Sequence, residues 1–308
     1  MTKTAKPYLP SYKRVDYPPS MQLTERDQQI ILAVYEYRLL SSEHIEALFF
    51  PSTSDKTHSR RTACQRRLQL LYHHGFLDRL PQPIILGKGR TPFVYALDEA
   101  GADLVADILG IDRADVGWKP KHNQLGVQFL DHSLGISDVR VVLQRLVDQD
   151  VFAKVHWVDE LILKSAEMKD KVPYLMQGAR PVRKHPDGYF RIKLLTGQEA
   201  HFFLEVDQGT MTNLRWQEKI RAYREFRQSG RSKKYYGTHR FRVLTVTTSE
   251  KRLLNLKRAT EKVKGDDHFW FAAQEALNIW RPEVLLNPVW SVASKDNRQV
   301  LFQDMTIN

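Results

Sequence analysis

The chain has 308 residues, 42% of them apolar, which is enough for two globular domains with hydrophobic cores. Its net charge of +11 and pI of about 9.6 indicate a polyanionic partner, most simply double-stranded DNA. Cys64 is the only cysteine and no apolar run approaches the roughly 18–20 residues of a membrane span, which excludes an intramolecular disulfide, a cysteine-rich zinc site and a membrane-spanning helix.

Residues 1–20 contain four prolines and several basic residues, but no apolar signal core. We therefore expect an extended basic arm at the N-terminus of a soluble, cytoplasmic protein with no membrane partner.

The pattern of residues 21–110 predicts a winged helix-turn-helix. Thr24 is a good N-cap for a first helix, Pro51 stops a short second helix, and Gly75 ends a longer, basic third helix. The remaining elements are two strand-like runs, a basic glycine-bearing turn between them and a closing helix: Ile84–Leu86, Phe93–Leu97, residues 87–90 and residues 98–109.

The third helix has the composition of a DNA-reading helix. Cys64, Leu68 and Leu71 form its inward stripe, and no acid occurs between Lys56 and Leu77. The opposite face is rich in donors that can contact base edges: Ser59, Thr62, Arg66, Gln69 and His73. Residues that would contact phosphates lie on the flanks and in the turn of the hairpin: Arg60, Arg61, Arg67, Lys88 and Arg90. We interpret His73 and His74 as surface residues; a basic helix that binds protein instead of DNA is the alternative.

The second half predicts a mixed-sheet domain of the α+β or α/β class. Residues 111–125 are the expected linker, residues 126–275 alternate helices with β-branched runs, and residues 276–308 form an unassigned C-terminal extension. No phosphate-binding loop and no histidine pair around an apolar residue occurs, which argues against an ATPase and against a histidine-metal nickase.

Three acids fall at strand ends in this half. Glu205 and Asp207 alternate in "AHFFLEVD" and so point to the same face, while Asp187 follows Pro186 at the start of the preceding strand. On these residues the domain resembles the PD-(D/E)XK nuclease superfamily. The resemblance implies that Asp187, Glu205 and Asp207 bind Mg²⁺ or Mn²⁺ and that a lysine stabilises charge.

Asp207 occupies the position of that lysine, and this departure puts activity in doubt. In "NLRWQEKIRAYREF" the predicted apolar face consists of Trp216, Ile220, Tyr223 and Phe226. Lys219 lies on the same face, where an acid partner would offset the cost of burying it. We predict Lys219 as the substitute in an active site; a lysine that extends along the rim to water is the alternative. Asp131, His132 and Asp138 on the opening helix are further candidates.

Segments from both halves, including "RRTACQRRLQLLYHHGFLDRL", "DHSLGISDV" and "FFLEVDQGT", resemble the replication-relaxation family of plasmid and mobile-element proteins. The resemblance implies DNA binding in replication or transfer, with replication or transfer proteins as partners. Three hypotheses remain: a DNA-binding protein whose nuclease-like domain has altered or lost activity, a Mg²⁺-dependent DNA endonuclease, and a winged-helix transcriptional repressor. Winged helices often dimerise on inverted sites, so a homodimer is also open.

Overall fold

The structure, a computed structural model, describes residues 9–50, 57–81 and 91–302. The chain divides into two compact units, Met1–Ser137 and Asp138–Asn308. The division falls inside a long helix, C-terminal to the 111–125 segment that the sequence suggests as a linker. Within the described ranges, no helix is long and apolar enough to cross a membrane.

Unit 1 contains the first four helices, the N-terminal part of the fifth, and a small antiparallel sheet with the strand order β1-β3-β2. In chain order its elements are α1 (Glu25–Tyr37), β1 (Leu40–Ser41), α2 (Ser42–Phe49), α3 (Thr57–His73), β2 (Leu77–Leu80), β3 (Val94–Leu97), α4 (Glu99–Leu109) and α5 (Val127–Asp148), which continues into unit 2. A short 3₁₀ turn at Pro120–Asn123 lies in the expected linker. Three helices and a pair of antiparallel strands follow one another along the chain, and the described hairpin partner of β3 is Leu77–Leu80, which the sequence does not predict as a strand.

Local sequence explains the helix boundaries in unit 1. Thr24 and Ser41 cap α1 and α2 through their hydroxyl oxygens, each in a reciprocal capping box. Gly75 follows α3 with a φ of +74°, a left-handed conformation that glycine adopts without strain. The expected strand Ile84–Leu86 and the basic turn of the hairpin lie outside the described residues.

The core stripe of α3 is as predicted, because Cys64, Leu68 and Leu71 are all buried. The interpretation of His73 as a surface residue is wrong. His73 is buried, and its Nδ1 accepts a hydrogen bond from the backbone of Val15 at 3.3 Å. The described part of the N-terminal arm lies beside α3 and β2, and this contact covers the histidine. The sequence gives no indication of it, because the two segments are far apart in the chain.

Unit 2 is built on a six-stranded mixed sheet with the order β11-β10-β9-β8-β7-β4. In chain order its elements are β4 (Phe152–Asp159), α6 (Glu160–Lys164), β5 (Tyr174–Gln177), β6 (Arg180–Arg183), β7 (Gly188–Leu194), β8 (Glu199–Asp207), α7 (Asn213–Gln228), α8 (Arg231–Tyr236), β9 (Phe241–Thr247), α9 (Glu250–Lys262), β10 (Phe269–Ala273) and β11 (Ser291–Val292). Strands β4, β7 and β8 form an antiparallel meander, and β9 and β10 continue the sheet in parallel.

One face of this sheet is covered by α7 and α9 around an aromatic core. Trp216, Ile220, Tyr223 and Phe226 form the buried stripe of α7, as the sequence predicts. Phe203 of β8 lies opposite this stripe, with its ring centroid 5.6 Å from that of Tyr223. Helix α7 is therefore fixed over the β8 face that carries the two acids.

Candidate functional site

The antiparallel pairing of β7 and β8 brings the start of one strand to the end of the other. Gly188 is paired with Leu204, so Asp187 precedes β7 at the level of Glu205. The backbone N–H of Val206 donates to Asp187 Oδ2 at 2.7 Å, and the Asp187 N–H donates to the carbonyl of Leu204 at 3.0 Å. These bonds hold the proline-led aspartate next to the acidic end of β8.

Glu205 is buried under α7, with 2% of its surface exposed. The Lys219 ammonium donates to Glu205 Oε2, and the Tyr223 hydroxyl donates to Oε1 at 2.6 Å. Lys219 and Tyr223 are four residues apart, so they lie one turn apart on the same helix face. The predicted acid partner of Lys219 is therefore Glu205, and Lys219 is buried instead of extending to water.

The surroundings of Glu205 shift the protonation of both partners. Burial, together with the neighbouring charge of Asp187, raises the pKa of Glu205 to about 7, although Lys219 and Tyr223 oppose the shift. Burial alone would lower the pKa of Lys219, but the charges of Glu205 and Asp187 outweigh it and raise that pKa. The site thus holds a carboxyl that titrates near neutral pH beside a lysine that stays charged.

Asp207 shares the face of Glu205 but has a different cation. Arg252, in the first turn of α9, donates from Nε to Oδ2 and from Nη2 to Oδ1, both at 2.8 Å. The hydroxyl of Thr247, which is paired with Asp207 across β8 and β9, donates to Oδ2 at 2.8 Å. The two acids avoid mutual repulsion because each has its own basic partner on a separate helix.

The predicted three-carboxylate metal site does not fit this arrangement. Magnesium and manganese need several oxygen ligands around one point. Among the described residues, one group of three metal-type side chains has all its ligand atoms within 4.8 Å, and it is Asp266, Asp267 and His268. Both oxygens of Asp207 are held by Arg252. Asp187 and Glu205 remain predicted ligands.

The Asp266 group is largely satisfied within the protein. The imidazole Nδ1 of His268 lies 3.1 Å from an oxygen of each aspartate, and Arg227 forms an ion pair with Asp266 at 3.0 Å.

On the opening helix of the domain, Asp138 accepts a hydrogen bond from Gln274 at 3.2 Å.

The candidate DNA-reading residues of α3 fall into two groups. Ser59, Arg61, Thr62 and Arg66 are exposed, and Gln65 is exposed beside them. Members of the other group contact the protein itself: Arg60 pairs with buried Glu46 at 2.8 Å, Arg67 pairs with buried Asp27, and Gln69 donates to the carbonyl of Leu9 at 3.0 Å. Lys88 and Arg90 lie outside the described residues.

A groove of about 390 Å³ runs beside the exposed group. Arg61, Thr62 and Arg66 of α3 line one side, and Arg79 and Tyr95 of the small sheet line the other. The groove is rich in donors, and its described lining includes no acid.

Sequence reasoning missed three residues of the site in unit 2. Tyr223 counts as an apolar-stripe residue in the sequence, although its spacing from Lys219 places its hydroxyl near the lysine. Thr247 ends a strand that only the parallel register brings beside Asp207. Arg252 has no local signal, because its partner lies 45 residues earlier in the chain.

Unit 2 consists, in chain order, of an opening helix, an antiparallel meander, a covering helix and a parallel strand. Residues 32–240 match the replication-relaxation family, and the chain belongs to this family. No curated protein matches the sequence. Among solved structures, restriction endonuclease FokI is similar over 86% of this chain and 45% of its own, with 14% identity and a TM-score of 0.27. The chain spans less than half of that protein, and a likeness this weak supports no conclusion about activity.

Proposed function

We propose that this chain is a DNA-binding protein that acts in the replication or transfer of a plasmid or mobile element. Unit 1 would be a winged helix-turn-helix that reads duplex DNA through α3. Unit 2 would be a nuclease-like domain whose activity is altered or lost. Membership of the replication-relaxation family supports a role in replication or transfer. The partners would be double-stranded DNA and proteins of replication or transfer.

The exposed donor group of α3 is the observation that carries the DNA-binding proposal. Arg61, Gln65 and Arg66 are exposed on a helix with no acid between Lys56 and Leu77. Arginine and glutamine can form paired hydrogen bonds with guanine and adenine edges in the major groove. Arg60 and Arg67, which bind internal acids, are better interpreted as residues that hold α3 in place.

The test measures the affinity of Arg66→Ala for a duplex that the wild-type protein selects from a randomised pool. Loss of a bidentate base contact should weaken specific binding by about 1–3 kcal/mol and relax selectivity at one position. Arg180→Ala, an exposed arginine on the β5–β6 hairpin, is the matched control. Unchanged affinity and selectivity in Arg66→Ala would refute the assignment of this face. Sedimentation of the complex would show whether two copies bind an inverted site.

In unit 2 the carboxylate oxygens of Glu205 and Asp207 already have hydrogen-bond donors, which supports the proposal that cleavage is altered or lost. Lys219 and Tyr223 occupy both oxygens of Glu205, and Arg252 occupies both oxygens of Asp207. A metal ion would have to displace these donors. A transcriptional repressor would use unit 1 alone and would leave this buried network without a role.

A Mg²⁺-dependent endonuclease is the second candidate; it is supported by the Lys219–Glu205 ion pair and by Asp187, which accepts a hydrogen bond from the backbone of Val206 at the same end of β8. When bound, the metal would polarise the phosphate and activate water. Supercoiled plasmid with Mg²⁺ or Mn²⁺ at low salt discriminates the two candidates. Nicking that is lost in Asp187→Ala and Glu205→Gln but kept in Asp267→Asn would establish the enzyme; absence of nicking and of Mn²⁺ binding by calorimetry would establish the inactive domain.

A further inference from the structure

An open groove of about 560 Å³ lies between α7 and α9 in unit 2. Its lining consists of amides, one hydroxyl, basic side chains and one alanine: Asn213, Gln217, Ser249, Lys251, Arg252, Asn255, Arg258, Ala259 and Lys262. Among the residues that the structure describes, no acid and no aromatic ring contributes to this lining. The groove is thus strongly positive and rich in hydrogen-bond donors.

The exposed cations of the groove form a stripe along α9. Lys251, Arg258 and Lys262 are exposed and stand at positions i, i+7 and i+11, within about 40° of one another around the helix axis. At a rise of about 1.5 Å per residue the stripe is about 16 Å long. This length spans several phosphates of one DNA strand, which follow one another at about 3.4 Å along the duplex axis.

Two helix N-termini lie at the groove; the first turn of α7 has no acid, whereas Glu250 in the first turn of α9 offsets part of the positive field there. Helix α7 begins at Asn213 and α9 begins at Glu250, and both are long enough to have a macrodipole. Asn213 Nδ2 donates to Asn255 Oδ1 at 3.0 Å, which ties the first turn of α7 to α9. Backbone N–H groups at helix N-termini are favourable partners for phosphate oxygens.

We infer that this groove, the α7–α9 groove, binds the phosphate backbone of duplex DNA. Single-stranded sites usually stack bases on aromatic side chains, and the described lining of the groove has none. Arg252 connects the groove to the acidic site, because the same guanidinium that lines it holds Asp207. A backbone in the groove is therefore placed beside the nuclease-like site, whether or not that site cuts. The inference does not depend on α3, so it extends the proposed function instead of restating it.

The experiment compares two triple variants of the full chain on a duplex of random sequence. In Lys251→Gln/Arg258→Gln/Lys262→Gln, each lost phosphate contact removes about 0.9 from the slope of log affinity against log salt, so the slope should fall by about 3. Affinity at low salt should fall roughly tenfold or more. The control Lys154→Gln/Arg180→Gln/Lys193→Gln removes the same charges from exposed positions of unit 2 and should keep the wild-type slope to within about 1.

The controls separate this inference from the proposed role of α3. An unchanged slope in the groove variant, or an equal loss in the control variant, would overturn the inference. So would a greater loss for single-stranded than for duplex DNA. A further outcome is that Arg66→Ala keeps full specific binding while the salt dependence of affinity falls in the groove variant. In that case the α3 proposal fails and the inference about the α7–α9 groove is upheld. The three substituted side chains are exposed, and an unchanged melting temperature would show that the variant folds.

Discussion

Asp27 in unit 1 and Glu205 in unit 2 are both buried acids with a basic partner, yet their pKa values shift in opposite directions. Asp27 is 0% exposed and accepts hydrogen bonds from Arg67 and from the backbone and hydroxyl of Thr24, both of the latter at 2.6 Å. Burial would raise its pKa, but these donors outweigh burial and lower it. For Glu205, burial prevails and the pKa rises to about 7.

Burial is the largest cause of the raised pKa of Glu205, and a neighbouring acid adds to it. Asp187 adds a like charge that raises the pKa of Glu205, whereas Asp27 is surrounded by donors. Asp27 completes a capping box and fixes α1 to α3, which is a structural role. An acid left at a perturbed pKa by a second acid is typical of functional sites. The comparison therefore favours a functional origin for the site in unit 2.

The largest expected effect is from Lys219→Met. This change leaves Glu205 buried without its cation, and removal of one partner of a buried ion pair costs about 3–5 kcal/mol of unfolding free energy. Urea unfolding followed by tryptophan fluorescence measures it, since five of the six tryptophans are in unit 2. The double variant Glu205→Gln/Lys219→Met should recover much of the loss, because no buried charge remains unpaired. A loss below about 1 kcal/mol in the single variant would show that Glu205 is already neutral at the pH of the experiment.

A smaller effect is expected in unit 1, where adjacent arginines of α3 serve different purposes. Arg67→Met removes the cation of Asp27, but 23% of the Arg67 side chain is exposed and Thr24 still donates to the acid. We expect a loss of about 2–3 kcal/mol, with Arg66→Met within about 0.5 kcal/mol of wild type. Hydrogen exchange of the α3 amides would report both. Equal losses in the two variants would refute the division of α3 into internal and DNA-facing arginines.

The sequence predicts the parts of these sites that depend on local periodicity. Strand alternation places Glu205 and Asp207 on one face, and the apolar stripe of α7 identifies Lys219 as a buried lysine in need of an acid. Local pattern cannot assign partners across the fold. Arg252 pairs with Asp207 across 45 positions and Arg67 with Asp27 across 40, and no periodicity links them. The same reason explains why Asp207 is predicted as a metal ligand but lies in an ion pair. The β5–β6 hairpin and β10 are likewise absent from the sequence prediction.

The two units should also differ in the sign of their pH dependence. Because the pKa of Glu205 is raised from 4.5 to about 7 on folding, the native state holds more protons than the unfolded state in that window. Stability should therefore fall as pH rises from about 4.5 to about 7, by at most about 1.4 kcal/mol per pH unit for one group. Lys219 stays charged throughout, since its pKa is raised.

Asp27 acts in the other direction, because its pKa is lowered from 3.8 on folding. Its contribution is complete above the unfolded pKa and is lost as pH falls through the lower folded value. The contributions of Asp27 and Glu205 can be separated by measuring the unfolding free energy between pH 3 and pH 8. The proteins to compare are wild type, Asp27→Asn and Glu205→Gln/Lys219→Met. The double variant should lack the decline between pH 4.5 and pH 7, and Asp27→Asn should lack part of the acid loss below pH 4. A decline that persists unchanged in the double variant would mean that Glu205 is not the acid that titrates near neutral pH, and the functional interpretation of the site would lose its electrostatic support.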